Sequence, residues 1–456
     1  MSLWKTIRRS LLKTPHQRIC EGEASLSYEE MCIFAEAFAE RLKGSSYGIL
    51  CYTELGSAMA LLACLAAGKT AIPMTMRYGK EVYTAILDRA APEYVISDGG
   101  DGLRVIPLHA KPTSCVVLNA PAVILFTSGS TGTPKGVMLS EDNLYHNMRD
   151  IASYFPIGEE DTILIARPLY HSSVLTGEFL VALYRGAKIV FSSGPFSPPV
   201  IRDLIGTHRV TVFGGTPTSL ATLSRFVKES DTGSVKTLSV SGECMTEGAA
   251  RAIRRAFPHA AVYAGYGLSE ASPRVAYLPP RLFDTNPTAS GIPLPSVSLR
   301  VLNDRGEEVT EDEIGEVVVR GPNVMQGYFE DEARSRAVLQ NGWLYTGDLA
   351  CRGRDGLLYV KGRKDDMIIR GGMNVYPAEI ENALSADDRV DDVLAYGYRE
   401  GDTQQIGLRI SGRFADTREV MALCRAKLPP YRMPATITLV DSQETALSGK
   451  KKRRRL

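Results

Sequence analysis

Ten consecutive residues, Thr127-Ser-Gly-Ser-Thr-Gly-Thr-Pro-Lys-Gly136, have the makings of an anion grip. Glycines let backbone N–H groups turn inward around a phosphate. The hydroxyls of Thr127, Ser128, Ser130 and Thr131 add donors, and Lys135 adds a compact positive charge. The order is not that of a Walker loop, where Gly-Lys-Ser/Thr precedes a helix; here Lys135 follows Pro134 and no hydroxyl follows it. A surface loop rich in Ser and Gly has a similar composition. Against that reading stands the apolar run Val123–Phe126 directly before it, which reads as a buried strand delivering the loop.

Such a grip needs a sheet to hold it. Short β-branched runs (Val116–Leu118, Val123–Phe126, Lys188–Phe191, Val210–Phe213, Thr237–Val240) alternate with helical patterns at Glu141–Ser153, Pro199–Thr207 and Thr216–Glu229. Alternation of this kind predicts βαβ units and a mostly parallel sheet. At the front, Trp4, Ile7, Leu11 and Leu12 fall on one face of a basic helix. From Val297 the texture changes to strand, turn, strand, with Asn303-Asp-Arg-Gly306 between Val297–Leu302 and Glu316–Arg320, as in a small antiparallel module. A further change follows Gly362-Arg-Lys-Asp-Asp366. Pro377 opens a helix carrying Ile380 and Leu384, Val393–Tyr398 and Gln405–Ile410 read as strands, and Arg418–Leu428 as a helix stopped by Pro429-Pro430.

The chain has 456 residues, enough for two or three cores, with 44% hydrophobic and 23% charged residues, as in soluble globular proteins. Its net charge is +1; removing the six positive charges of 450–455 leaves −5, so no basic field exists to attract nucleic acid. The basic tail by itself reads as a nuclear signal or a polyanion patch. Eight scattered cysteines show no CxxC pair, which fits neither a disulfide framework nor a structural zinc site and points to a reducing cytoplasm. No signal-peptide core and no run of about 18 apolar residues is present, so neither secretion nor a membrane span is expected.

Thr127–Gly136 resembles the phosphate loop of the adenylate-forming superfamily, and further segments of that family recur downstream in order. Ala264-Gly-Tyr-Gly-Leu-Ser-Glu-Ala271 is similar to its Tyr-Gly-x-Thr-Glu signature, with Ser269 keeping the hydroxyl. The resemblance implies that Tyr266 lies against adenine beside Gly267 and that Glu270 binds Mg²⁺. Gly242 and Glu243, after the strand Thr237–Val240, would line the adenine, although alone they read as a turn. Gly342-Trp-Leu-Tyr-Thr-Gly-Asp-Leu349 resembles the family's Thr-Gly-Asp segment and implies that Asp348 takes the ribose hydroxyls. In Gly362–Glu381 the family pattern puts Arg363 on ribose or phosphate, makes Asp365 a hinge, and sets Gly372 where a pantetheine arm passes. Ser448-Gly-Lys450, with Arg453 and Leu456, fits the terminal register that carries a catalytic lysine, Lys450, although Ala446 stands where threonine is common. His171, in Pro168-Leu-Tyr-His-Ser-Ser-Val174, would gate or line the acyl site; a lone histidine is also commonly structural.

The resemblance implies an α/β fold: a large N-terminal domain (1–363) of βαβ sheet subdomains plus a small β-barrel at about 290–360, and a smaller mobile α+β domain (364–456). It implies a ligase using ATP and Mg²⁺ to convert a carboxylic acid to acyl-AMP, then passing the acyl group to CoA or a carrier-protein pantetheine. Amino-acid-activating domains of the family place an aspartate hereabouts to hold the α-ammonium; His171-Ser172-Ser173 supplies none, so the resemblance implies an acid without an α-amino group. Tyr170, His171, Thr176, Gly214–Thr218, Gly265, Gly267 and Pro273 are the pocket candidates, and their mix leans towards an aryl acid. An amine-accepting or ring-forming ligase, and a non-catalytic nucleotide-binding protein, remain as alternatives.

Overall fold

Three sheets and a separate C-terminal body make up the computed structural model, which describes residues 2–76, 80–99, 102–108, 120–127, 134–370, 372–401 and 403–441. Val116–Leu118 lies outside the described residues. The largest sheet has nine strands. Its central six, from Ala261–Gly267 through Thr237–Ser241, Val212–Gly215, Thr162–Ile165 and Lys188–Phe191 to Arg18–Glu21, run parallel. Arg274–Leu278 adds antiparallel beside Ala261–Gly267. Inner strands such as Thr162–Ile165 and Lys188–Phe191 are largely apolar and buried because helices cover the sheet.

A second sheet of seven strands centres on Val123–Thr127, Thr70–Pro73 and Ser46–Ile49. One core of buried residues joins the two sheets through helices such as Glu54–Ala67 and Glu141–Tyr154. Ser140 caps the latter helix in a reciprocal box with Asn143, which fixes where the chain leaves the second sheet. The antiparallel module appears as a five-stranded sheet: Ser298–Leu302 pairs with Gly315–Arg320, and that strand with Trp343–Arg352. Beyond Arg363, a third core formed by Ile368, Ile380, Leu384, Val393, Leu408, Val420 and their neighbours contains only C-terminal residues.

Two sequence expectations need correction. The helix expected over Thr216–Glu229 ends at Leu223, and Glu229–Thr232 is a separate turn. Leu220 and Leu223 are fully buried while Phe226 is half exposed, so the apolar face that sustains the helix stops after Leu223. Leu12 does not share the buried face of the first helix, Leu3–Leu11; it caps the end and is 42% exposed.

Candidate active site

The hairpin holding the anion loop registers Thr127 opposite Lys135, so the loop leaves and re-enters the sheet at one point. Ser128, Gly129, Ser130 and Thr131 lie outside the described residues, as does Lys450. Lys135 Nζ donates to Glu270 Oε1 at 2.8 Å and to the Tyr328 hydroxyl at 3.2 Å. The Tyr328 hydroxyl in turn donates to the same Oε1 at 2.8 Å. Glu270 sits in the turn Ser269–Ala271 that follows the strand Ala261–Gly267, and its backbone oxygen accepts from Met325 N.

Burial works against the Glu270 carboxylate, but the charge and hydrogen bond of Lys135, with help from the backbone and Tyr328, hold its pKa below the usual value. It is therefore ionised at neutral pH. Burial and the Glu270 charge push the Tyr328 phenol far upward, keeping it a neutral donor. Both side-chain contacts use Oε1. One ionised carboxylate suits Mg²⁺, which keeps waters and substrate phosphates as its other ligands. Among the described residues no group of three or more His, Cys, Asp or Glu could hold a metal alone.

A second charge pair sits alongside. Asp348 faces Arg363 across neighbouring strands, with Arg363 Nη1 3.3 Å from Asp348 Oδ1, and the Tyr266 hydroxyl donates to Oδ2 at 2.7 Å. Burial and the Asp348 charge raise the Tyr266 pKa well above its ordinary value. Thr346 Oγ1 accepts from Asp348 N at 3.0 Å and donates to Val317 O, which fixes the aspartate backbone. Gly347 has φ +71°, a conformation that glycine adopts without strain, and a Cβ there would sit 3.2 Å from Arg363 Nη2. Gly242 also has a positive φ, and Glu243 Oε2 accepts from Thr218 N at 3.2 Å.

The segment bearing His171 reaches this site through Ser172, whose hydroxyl lies 3.1 Å from that of Ser269. The Tyr170 and His171 rings are 4.0 Å apart. Three glycines expected in the pocket are close-approach points. A Cβ at Gly214 would meet Glu178 Oε1, one at Gly265 would meet Arg274 Nη1, and one at Gly267 would meet the Pro273 carbonyl. Asp365 is exposed in the turn Lys364–Asp366, beside a cleft of ≈ 280 Å³ that Tyr396, Arg399 and Gln404 also line. Gly372 is exposed, with φ +78° and open space around it.

Sequence reasoning gave Tyr328 no part in the site and missed Glu178, Arg167 and Arg274. Tyr328 sits in a Gly-Tyr pair too short to read as a strand. An arginine heading the apolar run Arg274-Val-Ala-Tyr-Leu278 was the available signal for Arg274, since a charge at a buried strand position needs a reason.

Residues 7–329 match the family model described as AMP-binding enzyme. A feruloyl-CoA synthase of an Amycolatopsis species is 29% identical, the alignment covering 97% of this chain and 96% of that one. The indoleacetate–CoA ligase of Aromatoleum aromaticum is 28% identical over 94% of this chain and 92% of its own. The o-succinylbenzoate CoA synthetase of Bacillus subtilis, solved with ATP and magnesium ion, superposes with a TM-score of 0.83 at 26% identity, covering 98% of each chain. No helix among the described residues is long and apolar enough to cross a membrane. The family match spans the whole region that brings Lys135 and Glu270 together, and the chain belongs to the AMP-binding enzyme family as an acid–thiol ligase of the AMP-forming kind.

Proposed function

We propose that the protein activates an aryl carboxylic acid with ATP and Mg²⁺ and transfers the acyl group to CoA. A carboxylate oxygen attacks the α-phosphorus, the bond to the bridging oxygen breaks, and pyrophosphate leaves. The CoA sulfur then attacks the acyl carbon, the carbon–oxygen bond to AMP breaks, and the thiol proton passes to solvent. Such transfers depend on positioning and electrostatics more than on covalent catalysis by the protein.

In this reading the Thr127–Gly136 loop and Lys135 hold the β- and γ-phosphates, and Glu270 holds the metal, which neutralises phosphate charge. Tyr266, Gly242, Glu243, Gly267 and Ser269 surround the base, while Asp348 and Arg363 take the ribose. Lys450 stabilises the charge that develops at the α-phosphate. His171, Gly214, Gly265, Gly267 and Pro273 line the acyl pocket. Residues 364–456 form a domain that turns about Asp365, presenting Lys450 in the first half-reaction and Gly372 in the second. The separate C-terminal core and the exposed Lys364–Asp366 turn support that division.

The observation that carries the reading is the meeting of Lys135 and Glu270, 135 residues apart in sequence, at the mouth of the anion loop. The aryl preference draws on relatives named for feruloyl, indoleacetate and 2-succinylbenzoate groups. Exchange of labelled pyrophosphate into ATP across a panel of aromatic and aliphatic acids tests activation. AMP release with CoA, a holo-carrier protein or hydroxylamine then tests the acceptor. Exchange with aryl acids and turnover with CoA are expected. Turnover confined to the carrier protein would replace CoA as acceptor, and no exchange with any acid would overturn the reading.

A further inference from the structure

Arg274 is 3% exposed, yet its guanidinium has no hydrogen bond, ion pair or cation–π contact among the described residues. A cation this enclosed, with no partner among the described residues, is costly unless a ligand answers it. The backbone at this position is rigidly held. Asn147, fully buried, donates to Arg274 O at 2.7 Å and accepts from Arg274 N at 3.1 Å, and Asn323 donates to the same oxygen at 3.2 Å. The side chain reaches into space left by two glycines. Nη1 occupies the place a Cβ of Gly265 would take, and Nη2 lies 3.6 Å from the Cβ position of Gly177.

Gly265, Gly267 and Pro273 are residues proposed above for the acyl pocket, and the guanidinium packs directly against Gly265. The wall from Gly177 onward is polar too. It runs through a π-helical stretch, Leu175–Leu180, of a kind found frequently at functional sites. Within it the Thr176 hydroxyl and Glu178 Oε2 are buried without hydrogen-bond partners. Glu178 pairs with Arg167 through Oε1, and no ion pair joins it to Arg274 among the described residues.

Resting on the acid-activating function proposed above, we propose that the substrate is a dicarboxylic acid whose second carboxylate binds Arg274 at the far end of the pocket. A full buried charge calls for a full opposite charge, and the two terminal nitrogens of a guanidinium match the two oxygens of a carboxylate. The reacting carboxylate then faces the α-phosphate while the distal one sets depth and orientation.

Matched pairs that differ only in the second carboxylate test this: benzoate against terephthalate, 3-phenylpropanoate against 3-(4-carboxyphenyl)propanoate, hexanoate against adipate. In pyrophosphate exchange the wild-type protein should favour the diacid of at least one pair by about 10²-fold or more in kcat/KM, because a site built for a polar group rejects the analogue lacking it. Arg274→Met should collapse that ratio, with the change falling on KM for the diacid and not for ATP, and Arg274→Lys should retain part of it. Gly265→Ala, whose Cβ displaces the guanidinium, should act in the same direction, and the wild-type ratios need no variant at all. Equal or better use of the monoacid in every pair, or an unchanged ratio in R274M, overturns the inference while leaving acid activation intact. Absence of exchange with every acid removes the proposed function itself.

Discussion

At the proposed nucleotide end, charges come in pairs: the largely buried Lys135 and Glu270, and the exposed Arg363 with the buried Asp348. At the proposed acyl end, Arg167 and Glu178 also pair, but Arg274 has no counter-ion among the described residues. Both ends are lined by the same few segments, since Glu270 and Arg274 are separated by a single turn. The contrast fits the two ligands proposed above. ATP brings its own cation, so the protein can balance its charges beforehand and exchange partners on binding. An acid with one carboxylate spends that charge at the α-phosphate and has nothing left for Arg274.

The balanced end is broken most severely at Glu270. Glu270→Gln should lower adenylation by about 10³, the loss expected when a group that stabilises transition-state charge is removed. Raising the magnesium concentration should not restore it. The same substitution strands Lys135 without its anion, costing up to roughly 3 kcal/mol of stability, at the low end for a broken buried pair because the lysine reaches solvent. The pH dependence has a definite sign. A carboxyl held below its unfolded value of 4.5 contributes stability that is present above pH 4.5 and is lost as the pH falls below it. Thermal melts from pH 7 to pH 3 should therefore drop more steeply for the wild-type protein than for E270Q. Matching slopes would mean the pair is not coupled to folding.

Lys450→Ala should follow closely, with about 10²–10³ lost from acyl-AMP formation. Thioester formation from supplied acyl-AMP should be largely retained, because the second half-reaction transfers no phosphoryl group. Equal loss in both halves would contradict the division of labour proposed for the C-terminal domain.

How far the site was legible in the sequence follows the same contrast. In the proposed function phosphate, magnesium and ribose are common to every acid used, so the residues assigned to them sit in segments that resemble the family's, and that resemblance singles out Lys135, Glu270 and Asp348. The α/β alternation and the antiparallel module were legible because burial on one or both faces dictates residue period. Arg274 and Glu178 meet no fixed chemistry and belong to no pattern. An arginine heading an apolar run hints at burial for Arg274, but what it and Glu178 pack against comes from strands and helices distant in sequence, and only coordinates supply that. Helix ends were missed for a similar reason: the face that keeps Leu220 and Leu223 buried is defined by tertiary neighbours and ends before Phe226.

Asp348→Asn sharpens the comparison at a smaller scale. Its two oxygens engage Tyr266 and Arg363, and in the proposed complex they take the ribose hydroxyls as charge-assisted acceptors. Losing that charge should cost about 1.5–2 kcal/mol, a rise of roughly tenfold or somewhat more in KM for ATP. KM for the acid should stay near its original value, since the acyl end does not share this carboxylate. A parallel rise in both constants would show that the two ends are not separable.

The smallest effect concerns how the C-terminal body rests on the rest of the molecule. Gly248 packs so closely on Ser385 that a Cβ there would lie 2.6 Å from the Ser385 carbonyl oxygen and 3.0 Å from its Cβ. Beside it, Glu247 N donates to Asn382 Oδ1 at 3.0 Å and Arg251 Nη2 donates to Ser385 O at 2.9 Å. Gly248→Val pushes this contact apart without touching either end of the site. If residues 364–456 alternate between two docked positions, losing about 1 kcal/mol from one of them shifts the balance by roughly fivefold. One half-reaction should then slow by a few-fold while the other is unchanged or quickens. Single-turnover measurement of acyl-AMP formation and of AMP release separates the two. A uniform loss in both would mean the contact is ordinary packing within a single rigid body, and the case for a hinge at Asp365 would fall with it.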